Sequence, residues 1–372
     1  MGSFIVAPSI DIAQRFDDNI FQEDANKTSD TITQIKPEVT VRSDWNRHSL
    51  EFLAGVDADL YWDSSNDNSF NGDAEINGEI DISRDVQLRL GLDYERRHDD
   101  RGSDDVNGLA EEVVVQNKYG ARAELEAKFN RFRAQVGGQI TFNDFEDTDL
   151  VGGGTSNEDD RDLTSTTGHL ELGFQARKGY EIFVRGEINK RDFNDNIDDV
   201  GIARGSDAYR VRGGVNFKPS RKLDASVSIG YLHRSFDQAT FDDIDALDFA
   251  ASVDWDLPNN ISNIGLTVTR RVAESTDNDV AGRLTTTADL DFRHALTRSI
   301  ELRSNIGYVR SEEEGGTGTR DNDTYNVGVG AYYNFNRRMT VGATYDYNRR
   351  VSNEVNEGFV QNVLAVRAKF KL

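Results

Sequence analysis

Cysteine is absent from all 372 residues, which excludes a disulfide framework, a thiolate metal site and a cysteine nucleophile together. Proline is scarce, at 4 residues, as expected where nearly every backbone N–H must join a strand ladder. Positive charge is in the minority. There are 43 Lys+Arg against 66 Asp+Glu, a formal net charge of −23, and this argues against a nucleic-acid partner, because phosphate binding needs clustered excess Lys/Arg. No apolar run approaches the ~18 residues of a transmembrane helix. A basic-then-apolar leader is also missing: Met1-Gly2-Ser3 leads straight into patterned sequence, so the expectation is a mature chain whose signal peptide is already gone. Hydrophobic content of 37% is thin for a soluble core of this length, yet too high and too regularly spaced for disorder.

What is present is a period of two. In Val86-Gln87-Leu88-Arg89-Leu90-Gly91-Leu92-Asp93-Tyr94-Glu95, one face reads Val, Leu, Leu, Leu, Tyr and the other Gln, Arg, Gly, Asp, Glu. A strand puts successive side chains on opposite faces, so the segment has one apolar and one polar surface. The split recurs along Leu50–Trp62 and Tyr325–Phe335, and no long stretch follows a helical spacing.

The connections alternate as well. Short polar turns stand at 44–47, 83–85, 130–131, 178–179, 219–221, 258–260, 297–298 and 336–338. Between them lie longer acidic segments rich in Gly, Asn and Asp, such as 17–30, 99–112, 144–162, 194–207 and 312–323. Strands of about ten residues joined alternately by tight turns and long loops are the pattern of an outer-membrane barrel. The expectation is therefore an all-β, transmembrane antiparallel β-barrel of about 18 strands filling 1–372 as one domain, with short periplasmic turns and long acidic extracellular loops. A β-solenoid would show a fixed repeat, and a multidomain sandwich would show linkers; neither is visible.

Aromatics at the strand ends support an interfacial girdle, among them Trp62, Tyr94, Phe129, Phe132, Phe142, Tyr180, Phe217, Tyr231, Trp255, Tyr308, Phe335 and Tyr345. Pro8 and Pro37 interrupt the first two strands nearly opposite each other, which suggests a bulge or the barrel seam.

If the Leu/Val/Ile/aromatic positions face lipid, the alternate set faces the lumen. Pore-lining basic candidates are Arg89, Arg122, Arg133, Arg185, Arg210, Arg212, Arg303 and Arg367; Arg177, Arg191 and Tyr332 fall in the same set. Pore-lining acidic candidates are Asp57, Asp59, Glu79, Asp81, Asp254 and Asp256, together with Glu75 and Asp248. Strands three, four and twelve read as acid-rich and strands six to ten and the last as richer in Arg/Lys, which would set a transverse field orienting a polar or charged solute. The alternative is that the charges pair across neighbouring strands within the wall.

No cofactor is called for. The acidic loop runs Asp17-Asp18-Asn19, Asp242-Asp243, Asp277-Asn278-Asp279 and Asp321-Asn322-Asp323 could take calcium, though none has the full spacing of a calcium loop. Solvation, or bridging to lipopolysaccharide through divalent ions, is the plainer role. The five histidines are scattered, and neither G-x-S-x-G nor H-E-x-x-H occurs. Enzymatic activity is not expected; His98 beside Asp99-Asp100 is the only candidate for it.

The stretches Pro8–Ile12 and Phe16–Phe21, and the Trp-x-Arg-His step of Ser43–Leu50, resemble the putative beta-barrel porin 2 family of Gram-negative outer-membrane barrels. The specific motifs cover about residues 8 to 50, while the strand rhythm fits throughout. The resemblance implies location in the cell outer membrane and a passive conduit for exopolysaccharide export, working with a periplasmic polysaccharide-export protein. A general or nutrient-uptake porin, and a non-conducting surface barrel plugged by a loop such as 144–162, remain open. A monomer in membrane lipid and lipopolysaccharide is the default.

Overall fold

The computed structural model describes residues 3–99, 112–198, 201–275, 277 and 279–372. Met1-Gly2, most of the 99–112 connection including Asp100, Asp199-Val200 and Asn278 lie outside the described residues. The wall begins with β1 (Ser3–Asp17), β2 (Asp30–Asp44), β3 (Ser49–Tyr61), β4 (Ser69–Asp81), β5 (Val86–His98) and β6 (Val115–Phe129). It continues with β7 (Phe132–Phe145), β8 (Leu163–Arg177), β9 (Tyr180–Phe193), β10 (Ser206–Ser220), β11 (Leu223–Phe236) and β12 (Ile244–Asp256). It ends with β13 (Ser262–Ala273), β14 (Gly282–Ala295), β15 (Ile300–Glu314), β16 (Asp321–Asn334), β17 (Met339–Ser352) and β18 (Phe359–Lys371).

These form one 18-stranded antiparallel sheet, and β1 pairs with β18 from Ser9↔Lys371 to Asp17↔Val363. The sheet is therefore a closed barrel with both strand termini at the rim of short turns. Closure leaves no edge, so the ladders satisfy their N–H and C=O groups inside the wall, as a bilayer requires. No helix in the described residues is long and apolar enough to cross a membrane; the strands are the crossing elements. Gly179 shows how tight the turns are. It makes the two-residue turn from β8 to β9 at φ +79, and a Cβ there would fall 2.4 Å from the Lys218 carbonyl oxygen, so only glycine fits.

The outer face is apolar. Leu90, Leu92, Val136, Leu170, Leu172, Ile182, Val184, Val227 and Ile229 are all exposed on it. Aromatic pairs mark both margins. Tyr94–Tyr119 (ring centroids 5.1 Å) and Tyr308–Tyr325 (5.3 Å) lie toward the loops. Phe132–Phe174 (5.2 Å), Tyr180–Phe217 (4.7 Å) and Tyr333–Phe335 (4.7 Å) lie toward the turns. On β6, Tyr119 and Phe129 bracket about 33 Å of strand. At a tilt near 40° that is about 25 Å of height, the span of an outer-membrane apolar band.

The prolines need no bulge. The β2–β3 ladder skips Lys36 and Pro37 but resumes in the same register, Ile35↔Ala58 and Glu38↔Gly55. Pro8 lies just past the end of the β1–β18 pairing, where its carbonyl accepts from Leu372 N at 2.9 Å. Its missing N–H would face the carbonyl of Leu372, so the lost bond falls at the end of the ladder and not within it.

One part of the wall departs from regularity. The β12–β13 ladder runs only from Asp256↔Asn263 to Ala250↔Thr269, so the loop-side halves of the two strands part. Above that point the β13–β14 hairpin leans into the barrel. Val272 and Leu284 are paired in register on the hairpin face that, lower down, carries the exposed Leu290 and Phe292. At the top this face packs against Leu232 and Ile244. Those two alternate with the exposed Tyr231 and Leu247, so they belong to the inner side of β11 and β12. Outside the hairpin, Asp242 N donates to Gly315 O at 2.9 Å and rejoins the wall. By contrast Gly152, Gly153 and Gly154, at the tip of the 144–162 loop, stand in open space.

Candidate functional site

The polar face of the wall is the concave one. Arg15 on β1 reaches Asp59 on β3 at 3.2 Å, and Arg133 on β7 reaches Glu181 on β9 at 2.7 Å, each across an intervening strand. Side chains converge this way only on the inside of a closed sheet. The candidate site is this inner wall, and its chemistry is that of paired charge.

Arg89 lies 2.8 Å from Glu124 and 3.6 Å from Glu79. Arg122 bonds Glu75 (2.6 Å) and Asp93 (3.3 Å) and lies across Gly91, where a Cβ would meet its Nε at 2.5 Å. Arg133 is the most enclosed of the set: it contacts Glu171 and Glu181 and bonds Gln135 at 2.6 Å. Arg185 sits 3.5 Å from Glu171 and 3.4 Å from Glu187. Arg210 bridges Glu187 (3.2 Å) and Asp248 (3.3 Å), and Arg212 shares Asp248 at 3.4 Å. Arg367 approaches Asp11 at 4.0 Å across the seam.

Arg303 has a different role. It pairs with Glu301 at 2.5 Å, and its guanidinium stands 4.3 Å over the Tyr332 ring. That ring lies flat on bare backbone, since a Cβ at Gly342 or Gly330 would sit 2.5 or 2.9 Å from it. The two glycines make the seat, and the cation stacks on the ring face.

Of the acidic candidates, Asp57 holds Lys36 at 2.6 Å and Asp59 holds Arg15. Asp81 accepts from His48 N and Gln87 at the turn rim, while Asp254 and Asp256 accept from Asn263 at 3.3 and 3.0 Å.

The sectors of one sign do not form. Glu124, Glu126, Glu171, Glu181 and Glu187 stand among the arginines of β5 to β10, so charge is mixed strand by strand. Alternation with Arg122 and Lys128 on β6, or with Arg185 on β9, places four of these five on the inner face, and Glu171 follows from its contacts with Arg133 and Arg185 across strands. Arg177 leaves the inner wall: a register shift at Gln175/Arg177 turns it onto Tyr180, 3.5 Å from the ring centroid.

The acidic loop runs have protein partners. Asp17 accepts from Asn19 N and Gln361, and both Asp18 carboxylate oxygens accept from Asn362. Asp277 pairs with Arg320 at 2.7 Å, and Asp323 accepts from Tyr308 at 2.6 Å. His98 Nδ1 lies 2.8 Å from Asn71, and Asp99 pairs with Arg161 at 3.1 Å.

Among solved structures, the copper transporter OprC aligns with a TM-score of 0.51 at 8% identity, over 99% of this chain and 80% of that one. The outer membrane protein OpdK of Pseudomonas aeruginosa aligns at 0.47 and 9% identity over 99% of both chains. OpdO of the same organism aligns at 0.48 and 11%, over 99% and 97%. Identities this low speak to the fold alone. No curated protein matches the chain. The family described as Putative beta-barrel porin 2 matches residues 1–372, and the chain belongs to that family of outer-membrane barrels.

Proposed function

We propose that this barrel is a passive conduit for an acidic or neutral exopolysaccharide crossing the outer membrane. The observation that carries the reading is the inner wall itself. Most of its cations are held by carboxylates of neighbouring strands, so along most of the wall a passing glycan meets partly neutralised ion pairs, amides and the Tyr332 hydroxyl. Contacts of that kind are weak and repeated, as conduction demands. No catalytic step is assigned, and the chain carries no motif for an energy source. A polysaccharide-export protein would meet the turn rim from the periplasm. The acidic loops would face lipopolysaccharide, with calcium as a bridging ion.

The leaning β13–β14 hairpin favours a second reading, a porin for small solutes, because it narrows the loop-side mouth. Single-channel recording of the refolded protein in planar bilayers, with oligosaccharides added from either side, separates the two. Block by glycans at low concentration supports the conduit. An open conductance indifferent to glycans supports the small-solute porin, and a folded barrel that does not conduct overturns both.

A further inference from the structure

Between the inner face of β8–β11 and the leaning hairpin lies a cavity of about 240 Å³, lined in part by Asn189, Arg191, Arg210, Arg234, Arg271 and Val272. Its acids are already committed. Glu187 is shared by Arg185 and Arg210, and Glu274, just beyond β13, pairs with Arg191 at 2.9 Å. Arg234 is different. It is only 4% exposed, and its Nη1 and Nη2 donate to neutral acceptors, Ser206 Oγ and Asn189 Oδ1, at 2.7 Å each. Its Nε has no partner, and no carboxylate among the described residues forms an ion pair with it. Arg271 lines the same cavity and makes no hydrogen bond or ion pair among the described residues.

Glu274 lies near enough for its charge to be felt by Arg234 and Arg271, but it contacts Arg191. A buried guanidinium with no carboxylate in contact is costly, and proteins tolerate it where a ligand supplies the charge. Ser206 and Asn189 fix the plane of Arg234 at the cavity wall with neutral partners, which leaves its positive charge to be met by an oxyanion there. The cavity falls below the roughly 300–1,000 Å³ of pockets for whole drug-sized ligands, so it suits one acidic group of a longer solute.

We infer that this cavity binds a single oxyanion, a carboxylate or a phosphate group borne by a solute in the lumen, through Arg234 with Arg271 alongside. The inference rests on the conduit reading only for the source of the ligand: it makes the cargo acidic.

The test is titration calorimetry on the full chain folded in detergent, which does not require conduction. The probes are glucuronate, inorganic phosphate and glucose. Saturable binding of glucuronate or phosphate, absent with glucose, is expected; glucuronate alone marks a carboxylate cargo and phosphate alone a phosphorylated one. Losing one charge-assisted hydrogen bond in R234Q weakens binding about tenfold or more. R271Q, an exposed change that leaves folding intact, weakens it several-fold and keeps the test decisive if R234Q does not fold. No saturable binding of either anion, equal binding of glucose, or unchanged affinity in R271Q and in folded R234Q overturns the inference. Anion binding without glycan block would retain the site and reject the conduit.

Discussion

Arg191 on β9 donates from Nη2 to the backbone carbonyl of Val272 on β13 at 2.8 Å, although three strands lie between them. Four strand spacings amount to about 19 Å of wall, far beyond the reach of one arginine. The contact exists because the β13–β14 hairpin crosses toward β9, and Arg204 extends the hold by donating to the Ser275 carbonyl at 2.6 Å. The mouth of the barrel is thus narrowed by a strand hairpin of the wall rather than by the long glycine-bearing loop.

Releasing that hold should widen the mouth. R191Q removes both the Val272 bond and the Glu274 ion pair, and its single-channel conductance is expected to rise with more frequent switching between levels. An unchanged conductance trace from the folded variant would show that the hairpin does not limit passage.

Charge pairs differ in worth with their enclosure. The side chains of Arg133 and Glu171 are 11% and 10% exposed, and R133M strands buried carboxylates at a cost of about 3 kcal/mol. The pair of Arg42 and Glu51 is 65% and 34% exposed, so R42Q should change stability by no more than about 0.5 kcal/mol. Reversible denaturant unfolding in detergent measures both, and equal effects would contradict the assignment.

Tyr332 needs its glycine seat. G342V drives side-chain atoms into the ring, and overpacking of this kind costs about 1–3 kcal/mol. In a Y332A background the same change should cost clearly less, a coupling that a double-mutant cycle in the same unfolding assay would read. Additive costs would mean that the ring does not rest on Gly342.

Loop order should respond to acid through Glu146, which follows β7. Hydrogen bonding by the Arg96 guanidinium holds its carboxyl below the usual carboxylate value of 4.5. Because the folded value is depressed, the contribution is complete above about 4.5 and is lost as pH falls through the folded value. A spin label at V151C, the sole thiol in the chain, should become more mobile between about pH 5 and pH 3. In E146Q the label should already be mobile at pH 7. The same pH midpoint in both proteins would assign the change to another group.

The alternation of apolar and polar residues, with a strict exchange of short and long connections, determined the barrel, its strand number and its outer girdles. These are local properties: a period of two fixes which face each side chain takes, and a residue such as Gly179 fixes its turn by its own φ. Parity has a limit at Arg177, where a register shift it cannot foresee turns the side chain onto Tyr180. Who pairs with whom was not legible. Arg133 meeting Glu171 and Glu181 depends on register and curvature, and both arise only when β1 closes on β18. The leaning hairpin was still less visible, since Val272 and Leu284 read as ordinary lipid-facing residues. Only the parting of β12 from β13 gives their apolar face a second surface to bury against, and with it the buried Arg234 and its cavity.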